Sequence, residues 1–240
     1  MNAKTILITG ANRGIGLETA RQLADAGHQI IVGVRNADKL QPTIDQLVKF
    51  GVDAEQVSGV QIDLNDSASI TAAGKTIADQ HPDLGVLINN AGISGDMQKP
   101  ALETTIPEYQ ETLNVNLFGT MRVTEAMLPV LLKNRGQIVN LTGPFSATKW
   151  YNPAAYRVSK IALNAWIQTL AVDIENQKLP ISILGIFPGG VSTDINNHRQ
   201  GPYMKTTEDA AGLILRILKD GKRHNGDIIG PDGTVISKVE

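Results

Sequence analysis

The chain has 240 residues, with 22 Lys and Arg against 24 Asp and Glu, a formal charge of −2, and no cysteine. That length suits one α/β domain with a well-buried core, the charge balance excludes the basic excess of a nucleic-acid binder, and the cysteine count excludes disulfides and thiol chemistry. No apolar run approaches the roughly 20 residues needed to cross a bilayer, so a soluble, cytoplasmic protein with no membrane partner is expected.

In chain order, residues 5–9 read as a first strand and 18–26 as a helix that Gly27 ends. Strands follow at 29–34 and 60–62, then a helix at 67–78. Further strands are expected at 86–88, 137–141 and 181–186, with a short one at 227–229. Long helices fill 107–133, 154–177 and 207–218. The basic group Lys219, Lys222, Arg223 and His224 reads as a helix C-terminus. Strands that are apolar without alternation are buried on both faces. Strand–helix alternation then implies a Rossmann-type, doubly wound parallel β-sheet flanked by helices in a single domain. That domain is expected to span residues 1–240, with a substrate loop at roughly 194–206.

The segment Thr9-Gly10-Ala11-Asn12-Arg13-Gly14-Ile15-Gly16 follows the first strand and opens the first helix. That is the context of a dinucleotide-binding loop. Gly10 permits a tight turn, Gly14 a close backbone approach to a pyrophosphate, and Gly16 close helix–strand packing. A helix N-terminus supplies N–H donors for the phosphates. At the tip of the second strand the chain reads Gly33-Val34-Arg35-Asn36, with no carboxylate for a ribose 2′-hydroxyl. Arg35 and Arg13 can instead form a cationic fork for a 2′-phosphate, which favours NADP(H) over NAD(H). The alternative is two solvated arginines flanking the loop. Asp63 and Leu64 at the next strand can contact the adenine, or Asp63 can cap the helix near Ser67.

Tyr156 and Lys160 stand four residues apart in a helical segment and share one helix face. An ammonium beside a phenol favours phenolate and makes the tyrosine a usable acid–base group. No metal-ligand pattern stands out.

With these residues in hand, the chain resembles the short-chain dehydrogenase/reductase family, and specifically its carbonyl reductases. The resemblance runs over nearly the whole length. Asn89-Asn90-Ala91-Gly92 matches the element that runs beside the adenine ribose, implying cofactor contacts for Asn90, Ala91 and Gly92. Asn116 matches the asparagine whose backbone carbonyl holds a water in the proton relay. The segment from Pro188 through Gly189 and Val191 to Thr193 matches the one that fixes the nicotinamide carboxamide. The implied reaction is hydride transfer between nicotinamide and a small or medium ketone or aldehyde, with Tyr156 as proton donor. Lys160 then lowers the Tyr156 pKa and binds the nicotinamide ribose. Reduction of an imine or activated alkene, or a catalytically silent NADP(H) sensor, are the alternatives. The resemblance also implies a homodimer or homotetramer.

One element departs from the family pattern. The family serine expected thirteen residues before the tyrosine falls on Gly143. Thr142 is adjacent, but its side chain points to the opposite face in an extended strand. Ser146 can fold back if the Gly143-Pro144 turn redirects the chain. A third reading has no hydroxyl in the role. Candidate pocket walls are residues 93–97, 145–151 and 195–204, with Phe145, Trp150, Tyr151 and Tyr203 as apolar surface.

Overall fold

The structure is a computed structural model and describes residues 3–145 and 153–239. Six strands run parallel: β1 (Thr5–Thr9), β2 (Gln29–Val34), β3 (Val57–Gln61), β4 (Leu84–Asn89), β5 (Gln137–Leu141) and β6 (Ser182–Ile186). A two-stranded ribbon, β7 (Gly190–Val191) with β8 (Met204–Lys205), stands apart. Then β9 (Ile228–Ile229) joins β6 in parallel, and β10 (Val235–Ser237) closes the sheet edge antiparallel to it. The sheet order is β10-β9-β6-β5-β4-β1-β2-β3.

The strand sequences explain why both faces are covered. β1 and β6 bury every residue. Side chains alternate across the sheet, so Ile6 and Ile8 enter one core layer and Leu7 the other. The first layer is closed by α1 (Gly14–Asp25), α2 (Leu40–Lys49) and α7 (Thr207–Lys219). The second is closed by α3 (Ser67–Gln80), α5 (Thr120–Lys133) and α6 (Ala154–Asn176), with α4 (Ile106–Leu113) leading into α5. This is the doubly wound parallel sheet in a single domain that the sequence implies. The chain order reverses between β1 and β4, which opens a crevice at their carboxyl ends.

Several elements depart from the sequence reading. α1 begins at Gly14 rather than residue 18, because the glycine loop passes directly into the helix. α2 is unforeseen; Pro42 masks it, yet a proline in the first turn costs no hydrogen bond. The helix expected over 107–133 is broken by a π-helical turn, Asn114–Gly119, between α4 and α5. Of the basic group read as a helix C-terminus, Lys219 ends α7, but His224 lies beyond the helix. α7 stops at Lys219, and the buried His224 ring bridges Asp220 (2.8 Å) and Asp227 (2.7 Å).

Candidate active site

A cavity of about 360 Å³ lies in the crevice at the carboxyl ends of β1, β2, β3 and β4. The glycine loop forms its floor, and two glycines there have specific reasons. Gly10 takes φ +66°, and a Cβ on it would stand 3.0 Å from the Ala91 Cα. A Cβ on Gly16 would fall 2.5 Å from both the Gly10 carbonyl oxygen and the Asn90 Nδ2. Gly16 therefore packs against the β4 loop and not only against its own strand. Asn90 stitches the two loops: its Nδ2 donates to the carbonyls of Thr9 (2.9 Å) and Gly10 (3.1 Å). Thr9 Oγ1 in turn accepts the N–H groups of Asn90 and Ala91, each at 3.1 Å.

Arg13 is the N-cap of α1 but makes no side-chain cap, and the first turn of α1 carries no acid. The leading N–H groups of the helix thus lack a side-chain cap next to the cavity lined by Asn12, Arg13, Gly14 and Ile15. That arrangement suits a phosphate, and a dinucleotide fits this loop. Arg35 and Arg13 both line the cavity, and both are exposed. Arg13 also lies 3.6 Å from Asp194, which joins the glycine loop to the segment after β7. Lys39 lines the same end, a third cation that the sequence reading missed. It lies one turn past Arg35, in a 3₁₀ turn (Ala37–Lys39) hidden by the lack of helical periodicity there.

Asp63 and Leu64 line the cavity. The capping alternative for Asp63 falls to its neighbour: Asp66 caps α3 by accepting the Ala68 N–H at 2.8 Å, whereas Asp63 accepts from Asn65. Ala91, Gly92 and Thr193 line the cavity as well, but Pro188, Gly189 and Val191 do not. Val191 is buried, and its carbonyl accepts from Asn196 at 2.8 Å. Gly189 takes φ +91° and faces Pro231.

Beside this cavity α6 carries Tyr156 and Lys160. The Lys160 Nζ stands 5.6 Å from the centre of the Tyr156 ring and donates to the Leu141 carbonyl at 2.7 Å. Burial pushes the Lys160 ammonium down to about 8. Asn116 sits in the π turn with no exposed surface. Its side chain clamps Ile93 from both sides, accepting from the backbone N–H at 2.8 Å and donating to the carbonyl at 2.9 Å. It also donates to Ser159 Oγ, which donates to the Tyr156 carbonyl at 2.7 Å. The Asn116 backbone carbonyl accepts the Thr120 hydroxyl at 3.0 Å.

At the end of β5 the expected hydroxyl is absent from residue 143. The Thr142 hydroxyl is buried and turned into α6, donating to Asn164 Oδ1 at 2.5 Å. Ser146, Trp150 and Tyr151 lie outside the described residues. Phe145 is exposed, and Tyr203 almost fully so at 91 %. His198 pairs with Asp194 at 3.1 Å, and the Lys205 ammonium donates to the Pro231 carbonyl. Among the described residues no cluster of His, Asp or Glu could hold a metal, and no helix is long and apolar enough to cross a membrane.

Residues 4–202 match the family model for short chain dehydrogenases. The chain belongs to the short chain dehydrogenase family. A short-chain dehydrogenase of Penicillium roqueforti is 30% identical, with 96% of this chain and 95% of that protein covered. A short chain dehydrogenase of Shigella flexneri, solved in complex with NADP, is 28% identical with a TM-score of 0.84, covering 97% of this chain and 98% of that one. The NADPH-bound carbonyl reductase from chicken fatty liver shares the fold, with a TM-score of 0.86 at 24% identity and coverage of 99% and 100%. As a short chain dehydrogenase the chain is an oxidoreductase of the nicotinamide-using kind.

Proposed function

We propose that this dehydrogenase reduces small or medium ketones and aldehydes with NADPH, and oxidises the matching alcohols in reverse. The observation that carries the reading is the buried Lys160 ammonium held on Leu141 beside the Tyr156 ring, at the edge of a cavity shaped for a dinucleotide. When bound, the nicotinamide supplies hydride to the carbonyl carbon. The chain's own work is proton placement and orientation. Tyr156 donates the proton at the substrate oxygen, and the Lys160 charge makes its phenol a stronger acid. Asn116 holds Ile93 and, through Ser159, the first turn of α6, so the cavity wall and the tyrosine share one support. Gly10, Asn12, Gly14, Ile15 and Gly16 hold the pyrophosphate, Asp63, Leu64, Asn90, Ala91 and Gly92 the adenosine side, and the segment of Pro188, Gly189 and Val191 positions Thr193 for the carboxamide. Arg13 and Arg35, joined by Lys39, select the 2′-phosphate over a hydroxyl.

NADPH oxidation against a panel of ketones and aldehydes, with NADH in parallel, tests the reading. Turnover with NADPH that is abolished by Tyr156→Phe, with cofactor affinity retained, is the expected result. Arg35→Asp with Arg13→Ala should lower the NADPH-to-NADH preference by on the order of tenfold or more; an unchanged ratio refutes the fork. Gly143 favours a second reading, a NADP(H) sensor without turnover, because neither it nor the engaged Thr142 offers a hydroxyl. Tight NADPH binding with no turnover on any carbonyl would select that reading.

We further propose a homodimer or homotetramer. Phe118 and Val158, 47% and 43% exposed, lie on the helical segments that carry Asn116 and Tyr156. Light scattering that returns the monomer mass of 25.7 kDa would exclude it.

A further inference from the structure

We propose that Asn164 is a positioning residue for the Tyr156–Lys160 pair, an inference that rests on the catalytic reading of that pair given above. Asn164 lies one turn beyond Lys160 on α6, on the same face, with no exposed surface. Its amide closes two bonds to the end of β5. Oδ1 accepts the Thr142 hydroxyl at 2.5 Å, and Nδ2 donates to the Gly143 carbonyl at 3.0 Å. The Thr142 hydroxyl also reaches the Lys160 carbonyl at 3.3 Å.

The preceding residue, Leu141, supplies the carbonyl that holds the Lys160 ammonium. Three consecutive residues at the strand end are therefore bonded either to Lys160 or to Asn164. The sheet holds the strand as far as Thr142 and little beyond it. The Thr142 N–H still reaches Ile186 on β6 at 2.9 Å, but Gly143 has no side chain and Pro144 has no N–H. The bond from Thr142 to Ile186 already aims the Leu141 carbonyl, which shares its peptide plane. The Asn164 amide takes over where the ladder stops and ties the face of α6 that carries Lys160 to residues 142 and 143, so it sets where the ammonium meets that carbonyl. Without the amide, α6 loses this tie, and the charge beside the phenol shifts with it.

A buried amide can also serve folding alone, and the experiment separates the two. The Tyr156 phenol is titrated by its ultraviolet phenolate band, as the difference from Tyr156→Phe in each background; the chain has 4 tyrosines, so the signal is readable. Asn164→Ala should raise the Tyr156 pKa by about one unit and lower kcat for NADPH-dependent carbonyl reduction by about tenfold or more, with KM for NADPH within about twofold. Thr142→Val, which removes one of the two bonds, should shift both in the same direction by less, and Thr142→Ser should restore wild-type values. A Tyr156 titration unchanged in Asn164→Ala and Thr142→Val overturns the proposal, even when the melting temperature falls. Where Asn164→Ala does not fold, the Thr142→Val and Thr142→Ser pair decides by the same titration. The titration needs no turnover: a wild-type protein that reduces no carbonyl would sink the reductase reading, while the role of Asn164 is still judged by the phenol.

Discussion

A Cβ on Gly143 would stand 3.0 Å from the Lys160 Cβ and 3.3 Å from its Cγ. The missing serine and the lysine are thus one packing problem: the stem of Lys160 lies where a side chain at residue 143 would go. Gly143→Ser is expected to cost roughly 1–3 kcal/mol through this overlap, seen as a lower melting temperature. Gly143→Ala carries the same overlap without the hydroxyl. A donor aimed at a developing oxyanion contributes about a hundred- to a thousandfold, so turnover of the Ser variant should exceed that of the Ala variant by about tenfold or more. Equal turnover would mean the site has no use for a hydroxyl there.

Lys160 titrates near neutrality for a physical reason, its burial, which brings it to about 8. The ammonium is present below that value and lost above it, so carbonyl reduction should decline as pH rises through about 8. Lys160→Arg keeps its charge across this range. Its kcat–pH curve should lose that alkaline limb even if the plateau is lower; a limb that persists assigns the titration to another group.

Two histidines oppose each other in stability. For His224, burial lowers the pKa, but hydrogen bonds to Asp220 and Asp227 outweigh it and the net shift is upward. A raised folded pKa means its contribution is full below about 6.5 and lost as pH rises through the folded value. For His28, burial and the charges of Lys219 and Lys4 push the pKa down. Its Nδ1 accepts the Lys4 N–H at 3.1 Å, and its Nε2 has no partner among the described residues. Its contribution is full above about 6.5 and lost as pH falls toward the folded value. Melting curves against pH should show His224→Gln flattening the alkaline fall and His28→Gln the acid one. Parallel curves would contradict both assignments.

The glycine loop offers a graded comparison. Gly14 takes φ +57°, but a Cβ there meets nothing nearer than Thr193 Cγ2 at 3.6 Å. Gly14→Ala should cost only the left-handed strain, roughly 1–2 kcal/mol. Gly16→Ala would drive a methyl to 2.5 Å from a backbone carbonyl, and it should cost more in melting temperature. The reverse order in thermal melts would contradict the loop packing.

Much of this was legible in the chain. The continuous apolar strands and the glycine loop announced the sheet and its crevice, because burial on both faces and a tight turn leave marks in local composition. Asn116 is legible in its motif, but its π turn is not, since a slip of one residue within a single turn does not interrupt the run of helix-forming residues. Lys39 is masked by its 3₁₀ turn, which carries no helical periodicity. Asn164 is hidden for another reason: its role comes from contacts with a distant segment, and nothing beside it in sequence records them. The bond from His224 to Asp227 spans only three residues, yet it is hidden behind what reads as a basic helix end.

The π turn carries a consequence for insertions and deletions. It accommodates one residue more than a regular helix of the same span. Removing a single residue from Asn114–Gly119 would let α4 and α5 fuse into an ordinary helix of the same span, leaving the flanking helices in phase but re-aiming the side chains of the turn itself. Asn116 would then swing away from Ile93 and Ser159 even if it were kept in place. At this point the site is encoded in the count of residues as much as in their identity, and a frame-preserving deletion here would be felt as a catalytic mutation.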